Sequence, residues 1–413
     1  MTSADFKLLA LKNAVELSTS PFMQIRPSLT AILLCVTSYC CAQDAEIAAI
    51  HKVGPEALNN REAGEAAGIL ARGGADQLPR LLLAMNPANE LAANYLRSAV
   101  DTIVDRTLAA KGRMPVSEMR AFLLDTANHP RARRLAYEIL VRVTPEAAAE
   151  LLPGFANDPS VELRFDAVEL LIAAANTLKE ARETEGAAKA YQKALDAARD
   201  QKQIYTITGE LRSLGVIVDL PRHFGFLTHW KAIGPFDNLN LAGFETVYPP
   251  EKELELTREY DGKSGRVKWM DISTNEEYGM VDLNPALGEL KEVTGYATAE
   301  FHSPVAGPAE LRLGCKNGWK VWFNSQFIFG RDEYHRGARI DQYRLPVNLK
   351  KGSNRILLKV CQNGEVKEWT KEWEFQLRVC DATGTAILAT DRPPSGPAEP
   401  KVKTKTKAPA SGK

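Results

Sequence analysis

All six tryptophans of the 413-residue chain (Trp230, Trp269, Trp319, Trp322, Trp369 and Trp373) lie after residue 229. Residues 44 to 215 are instead rich in alanine, leucine, glutamate and arginine. One fold class rarely accommodates both compositions, and the asymmetry predicts an α domain followed by a β domain. The length fits two to three domains. Apolar residues make up 45% and charged residues 25% of the chain, enough for real hydrophobic cores. Formal net charge is zero. Residues 391–413 hold six Lys/Arg against two acids, +4, which leaves −4 on the rest. A body of that sign gives no global case for nucleic-acid binding.

The N-terminus reads as an address. Met23-Gln-Ile-Arg26 is a short basic start, and the run from Leu29 to Val36 is apolar. Small residues at Cys40 and Ala42 suit cleavage before Gln43. The run is shorter than the ~20 apolar residues that span a bilayer. Residues 1–42 are therefore expected to be an N-terminal extension and signal peptide with Met23 as the true start. The mature protein is expected to be secreted or periplasmic, with no integral membrane segment.

Helical periodicity fills residues 43–222. Three segments open alike: Ala84-Met-Asn-Pro87, Ala127-Asn-His-Pro130 and Ala156-Asn-Asp-Pro159. Amphipathic helices are expected after them at Glu90–Leu108, Arg131–Val143 and Val161–Ala175. The spacings, 43 and 29 residues, are irregular. The stretch from Asp158 resembles the second half of a HEAT repeat. Ala187, Tyr191 and Ala194 stand where a tetratricopeptide helix places its small, aromatic and small residues. The expectation is an α-solenoid of degenerate helical repeats, binding a protein, bracing another domain or acting as a plain spacer.

At Phe226–Asn238 the helical period stops and Gly/Pro punctuation begins. Short alternating strands follow: Trp230–Phe236, Gly265–Ile272, Tyr296–His302, the hairpin Trp319–Phe329 turning at Asn324-Ser325, Arg355–Cys361 and Phe375–Cys380. Strands at this spacing predict a β-sandwich or barrel over 226–390. Residues 391–413, with prolines and alternating lysines, read as a disordered basic tail.

Four motifs carry a resemblance: Trp-x-x-Ile-Gly-Pro-Phe at 230–236, Val-Trp-Phe-Asn at 321–324, Leu-x-Lys-Gly-x-Asn-x-Ile-Leu-Leu-Lys-Val at 349–360, and Trp-x-Phe-x-Leu-Arg-Val-x-Asp at 373–381. They resemble the jelly-roll modules of secreted bacterial, planctomycete-like proteins. Those modules are similar to galactose-binding-like and β-galactosidase sugar-binding domains. Over about 160 residues the resemblance implies a jelly-roll fold. Where family members carry an acidic turn before the Val-Trp strand, this chain has Cys315-Lys-Asn-Gly318, which weakens any calcium expectation.

Strand parity puts Cys315 on an apolar face with Leu311 and Leu313, and puts Cys361 and Cys380 outward. An oxidising compartment would allow a Cys361–Cys380 disulfide. Against it, consecutive jelly-roll strands often lie in opposite sheets, too far apart to bridge. No Cys-x-x-Cys or His/Cys cluster calls for a metal, and no cofactor motif is present.

The binding candidate is the loop Arg331–Asp341. A flat aromatic suits a sugar's apolar face, and charged or amide groups suit its hydroxyls. Arg331, Asp332, Tyr334, His335 and Asp341 offer those types, with Trp322 nearby and Trp369 as a possible exposed stacking residue. The bland alternative is that Asp332 and Asp341 pair with arginines and the aromatic packs the sandwich. Catalysis lacks a motif, and the carboxylate pair Glu276-Glu277 sits in a polar connection. The expectation is a secreted, non-catalytic protein whose partner is a carbohydrate or an envelope protein. The alternatives are a glycoside-processing enzyme or accessory subunit, and a structural envelope component.

Overall fold

A computed structural model describes residues 43–393. Residues 1–42, where a signal peptide is expected, and nearly all of the basic tail lie outside the described residues. Helices fill the N-terminal half and antiparallel sheets the C-terminal half. Contacts divide the chain into two compact units, one ending at Pro145 and one beginning at Glu146. The helices between Glu146 and Phe224 therefore share a unit with the strands, whereas composition alone draws its line at 222–226. Among the described residues no helix is long and apolar enough to cross a membrane.

The first unit opens in helix over 43–51. It continues with α1 (Asn60–Leu70), α2 (Leu78–Ala84), α3 (Glu90–Ala109), α4 (Val116–Leu124) and α5 (Pro130–Val143). In α3 the buried residues Ala92, Leu96, Ala99, Val100 and Ile103 recur every three or four positions, so one stripe faces the core. Asn89 caps α3, its side chain accepting from the Ala92 N–H at 2.9 Å. Pro130 opens α5, where its missing N–H costs nothing.

The second unit starts with α6 (Ala147–Leu151), α7 (Val161–Glu180), α8 (Thr184–Ala197), α9 (Gln201–Ser213) and α10 (Leu220–Phe224). Ala187, Tyr191 and Ala194 are all fully buried, in a helical core that includes Ile172, Ile204 and Phe226.

The strands begin with β1 (His229–Asp237), followed by the short helix α11 (Pro249–Lys252), β2 (Tyr260–Gly262), β3 (Gly265–Val267), β4 (Met270–Ser273) and β5 (Val281–Asp282). After α12 (Asn284–Leu287) come β6 (Val293–Ser303), β7 (Gly307–Cys315), β8 (Gly318–Phe323), β9 (Gln326–Arg331), β10 (Tyr343–Leu349), β11 (Gly352–Gln362) and β12 (Glu374–Cys380). One sheet has the order β4-β1-β6-β11-β8-β9 and the other β10-β7-β12-β5. Apolar side chains of the two sheets meet between them: Trp230, Trp319, Ile356, Leu358 and Val360 from one sheet, and Phe375, Leu377, Val379 and the parity set Leu311, Leu313 and Cys315 from the other. Asn324 and Ser325 both take positive φ, 50° and 67°, in the two-residue β8–β9 turn.

Two sequence expectations need correction. Gly265–Ile272 is not one strand. It breaks after Val267, because β3 pairs with β2 while β4 pairs with β1, and Trp269 between them is buried in a second, smaller core. Cys361 and Cys380 form no disulfide: both are free and buried, one in each sheet. Parity was right that they point away from the main core, but both outer faces are covered. Over Cys361 and Lys359, residues after β1 bury Ile233, Phe236, Tyr296 and Leu357. Over Cys380, Arg378 donates to the carbonyl of Phe224 at the end of α10. Burial pushes both thiols up to about 11, so neither is a reactive thiolate at neutral pH.

Candidate functional site

At one end of the six-stranded sheet, the turn after β1, the start of β8, the loop after β9 and the loop after β11 converge. Asn238, following β1, is fully buried and donates to the Gln362 carbonyl at 3.0 Å and to the Tyr334 hydroxyl at 3.4 Å. Gly318 opens β8, and a Cβ there would lie 3.0 Å from the Tyr334 hydroxyl. Glycine therefore lets the tyrosine lie against the strand. Burial, with the Asp332 carboxylate hydrogen-bonded alongside, raises the Tyr334 phenol well above its ordinary range and keeps it neutral.

His335 adopts φ 59° and donates its backbone N–H to the Lys316 carbonyl at 2.6 Å. Its Nε2 lies 2.9 Å from Asn363 Oδ1 and 3.6 Å from the Glu365 carboxylate. Above it stands Trp369, ring centroids 5.3 Å apart and perpendicular, with the indole 54% exposed.

The loop that presents Trp369 is tightly tied. Gln362, fully buried, donates to the Thr370 carbonyl at 3.0 Å. The Thr370 hydroxyl donates to the carbonyls of Glu365 and Lys367, and Lys291 Nζ donates to the Thr370 carbonyl at 2.6 Å. Charges around the indole come in compensated pairs, Lys367 with Glu365 at 2.6 Å and Lys371 with Glu368 at 2.9 Å. The hydrogen bond from Lys367 holds the Glu365 carboxyl below its usual range. Lys367 also lies 5.2 Å from the indole centroid. An exposed, anchored indole ringed by neutralised polar groups can stack on an apolar ring face and hydrogen-bond uncharged hydroxyls.

Of the seven residues picked from sequence, the structure gathers Asp332, Tyr334, His335 and Trp369. Arg331 is beside them at the end of β9, its guanidinium 5.3 Å from the Phe329 ring and 3.8 Å from Glu333. Trp322 is not adjacent: it lies four residues, about 13 Å, along β8 from Gly318 and packs on Phe327. Asp341 leaves the set altogether. Its carboxylate is enclosed between Arg312 (2.7 Å) and Arg378 (2.6 and 2.7 Å) on the outer face of the four-stranded sheet. For Asp341 this is the arginine-pairing alternative read from the sequence, and strand pairing supplies the partners, Arg312 on β7 and Arg378 on β12.

The supporting residues Asn238, Gln362, Asn363, Glu365 and Thr370 were missed. Four of them belong to the end of β11 and the loop after it, while Asn238 lies 124 residues before Gln362, and strand pairing brings it to them.

No family model matches the chain, and no curated protein matches it. Among solved structures it is similar to a PA14 sugar-binding domain from an RTX adhesin, at 13% identity over 39% of this chain and 98% of that one, TM-score 0.23. It is also similar to a β-glucosidase from Kluyveromyces marxianus in complex with glucose, at 13% identity over 28% of this chain, TM-score 0.22. A third is an anti-sigma factor domain-containing protein from Clostridium clariflavum, at 11% identity over 42% of this chain and 47% of that one, TM-score 0.24. The chain spans 14% of the β-glucosidase's length. Likenesses at these TM-scores carry no argument about function.

Proposed function

We propose that the two sheets form a jelly-roll glycan-binding module without catalytic activity, in a secreted or periplasmic protein whose helices form a solenoid-like scaffold. The observation that carries this reading is Trp369, a half-exposed indole on a loop fixed by the buried side chains of Gln362 and Thr370. An anchored loop holds this indole as a rigid flat face on which the apolar face of a sugar ring can stack with little further ordering. The flanking Asn363 and Glu365, placed by the nearly buried His335 ring between them, supply polar groups for ring hydroxyls.

The test is a glycan array with the intact chain and its Trp369→Ala variant. Wild-type binding weakened tenfold or more by the substitution supports the reading. No binding by the wild type, or binding unaffected by the loss of the indole, overturns it. Hydrolysis of a bound glycan would replace the non-catalytic part with the glycoside-processing alternative.

A further inference from the structure

A second concave region lies on the outer face of the six-stranded sheet, around the paired residues of β1, β4, β6 and β11. It is an open groove of about 410 Å³. Its polar floor follows from strand register. Lys231 on β1 faces Asp271 on β4, with Nζ 2.6 Å from the carboxylate. Glu300 on β6 faces Arg355 on β11 directly, and His229 lies two positions before Lys231 on the same strand. Leu254 and Leu256 form the apolar wall.

The wall is built into the fold. Three residues before Leu254, Glu251 accepts from Lys359 Nζ at 2.9 Å, and that lysine side chain is fully buried. The same ammonium donates to the carbonyls of Phe244 and Thr246 at 3.0 and 2.7 Å. Tyr296 donates to the Glu251 carboxylate as well. A buried ammonium with three oxygen partners fixes the segment after β1 on the sheet, and with it the groove's width.

The geometry points to this groove as a second glycan subsite that takes a neutral oligosaccharide chain laid across the strands. The assignment rests on the glycan-binding reading of the module. Two cations and two carboxylates on the floor cancel, so a ligand of either net charge finds no field to favour it. Hydroxyl groups both donate and accept, and the floor offers both: Asp271 and Glu300 accept, while Lys231 and Arg355 donate. The leucines of the wall suit the C–H faces of the same sugars.

Calorimetric titration of the intact protein with neutral tetrasaccharides (cello-, xylo- and galacto-series) tests this. The wild type is expected to bind two equivalents. The Glu300→Ala/Arg355→Ala double variant, which keeps net charge constant at exposed positions, should bind one equivalent, with the remaining site still sensitive to Trp369→Ala. Asp271→Asn should weaken the groove site several-fold with little structural perturbation. One equivalent in the wild type, unchanged by the double variant, overturns the groove and leaves the Trp369 reading standing. Absence of binding at either site overturns both. A tetrasaccharide of uronic acids binding the groove more tightly than the neutral series overturns the ligand class.

Discussion

Replacing Asp341 with Asn would leave two buried guanidiniums facing a single carboxylate. The Arg312 and Arg378 side chains are each 4% exposed and Asp341 14%. Arg312 also pairs with Glu310 at 2.8 Å, and Arg378 donates to the carbonyls of Phe224 and Gly384 at 3.0 Å. Asparagine tolerates the positive φ of 60° at this position, so the substitution removes charge without adding backbone strain. Breaking one partner out of a buried ionic group costs about 3–5 kcal/mol. Urea unfolding followed by tryptophan fluorescence would measure it, since all six tryptophans lie between residues 230 and 373. A loss below about 1 kcal/mol would mean that the pair behaves as an exposed one. Trp369 and Asp341 thus part company. One faces solvent and is offered as a contact residue, while the other holds the outer face of the four-stranded sheet to α10.

At the scale of elements, the motif shared by two helix starts has a structural use. Asn86 donates to the Asn128 side-chain oxygen at 2.9 Å and accepts the His129 N–H at 2.8 Å. Asn128 in turn donates to the Phe122 carbonyl at 2.9 Å. These two asparagines, the third residue of one motif and the second of the other, brace neighbouring helix entries, and neither caps its own helix. Asn128→Ala strands the Phe122 carbonyl and the Asn86 amide, at a cost of about 1–3 kcal/mol. Far-UV circular dichroism should show the helical transition moving to lower temperature, and an unchanged midpoint would remove this role. The element-level reading from sequence held where period and turn chemistry are local: α3, α5, the β8–β9 hairpin and the inward sets of β7, β11 and β12. It failed where a face is covered by something distant. Lys359 and Cys361 alternate outward as expected, yet the segment after β1 buries both. Alternation reports which way a side chain points and not what lies beyond it. The candidate site divides the same way: its aromatics could be found along the sequence, but its buried amides needed strand pairing.

At the scale of the molecule, pH should act on the second unit in two separate windows. Burial, reinforced by the charge of Arg199, pushes His223 in α10 down to about 4. A histidine held neutral in the fold contributes stability that is full above its unfolded pKa near 6.5 and is lost as pH falls toward 4, because the unfolded chain takes the proton first. With one proton involved, the slope is at most about 1.4 kcal/mol per pH unit. The second window lies lower. Burial alone would raise Asp341, but hydrogen bonds and charge from Arg378 and Arg312 outweigh it and hold the carboxyl below its usual range. Burial would also raise Asp381, and the donors from Thr383 and Thr385 outweigh it in the same way. Their stabilisation is present above the unfolded value near 3.9 and is lost as pH falls through the folded one. Thermal melts by tryptophan fluorescence should therefore show a shallow decline from pH 6.5 to 4 and a steeper one below. His223→Gln should flatten the upper decline and leave the lower one in place, whereas Asp341→Asn should weaken the lower one. If His223→Gln leaves the whole profile unchanged, another group controls the upper window and the packing of α10 on the sheet is not what the proton disturbs.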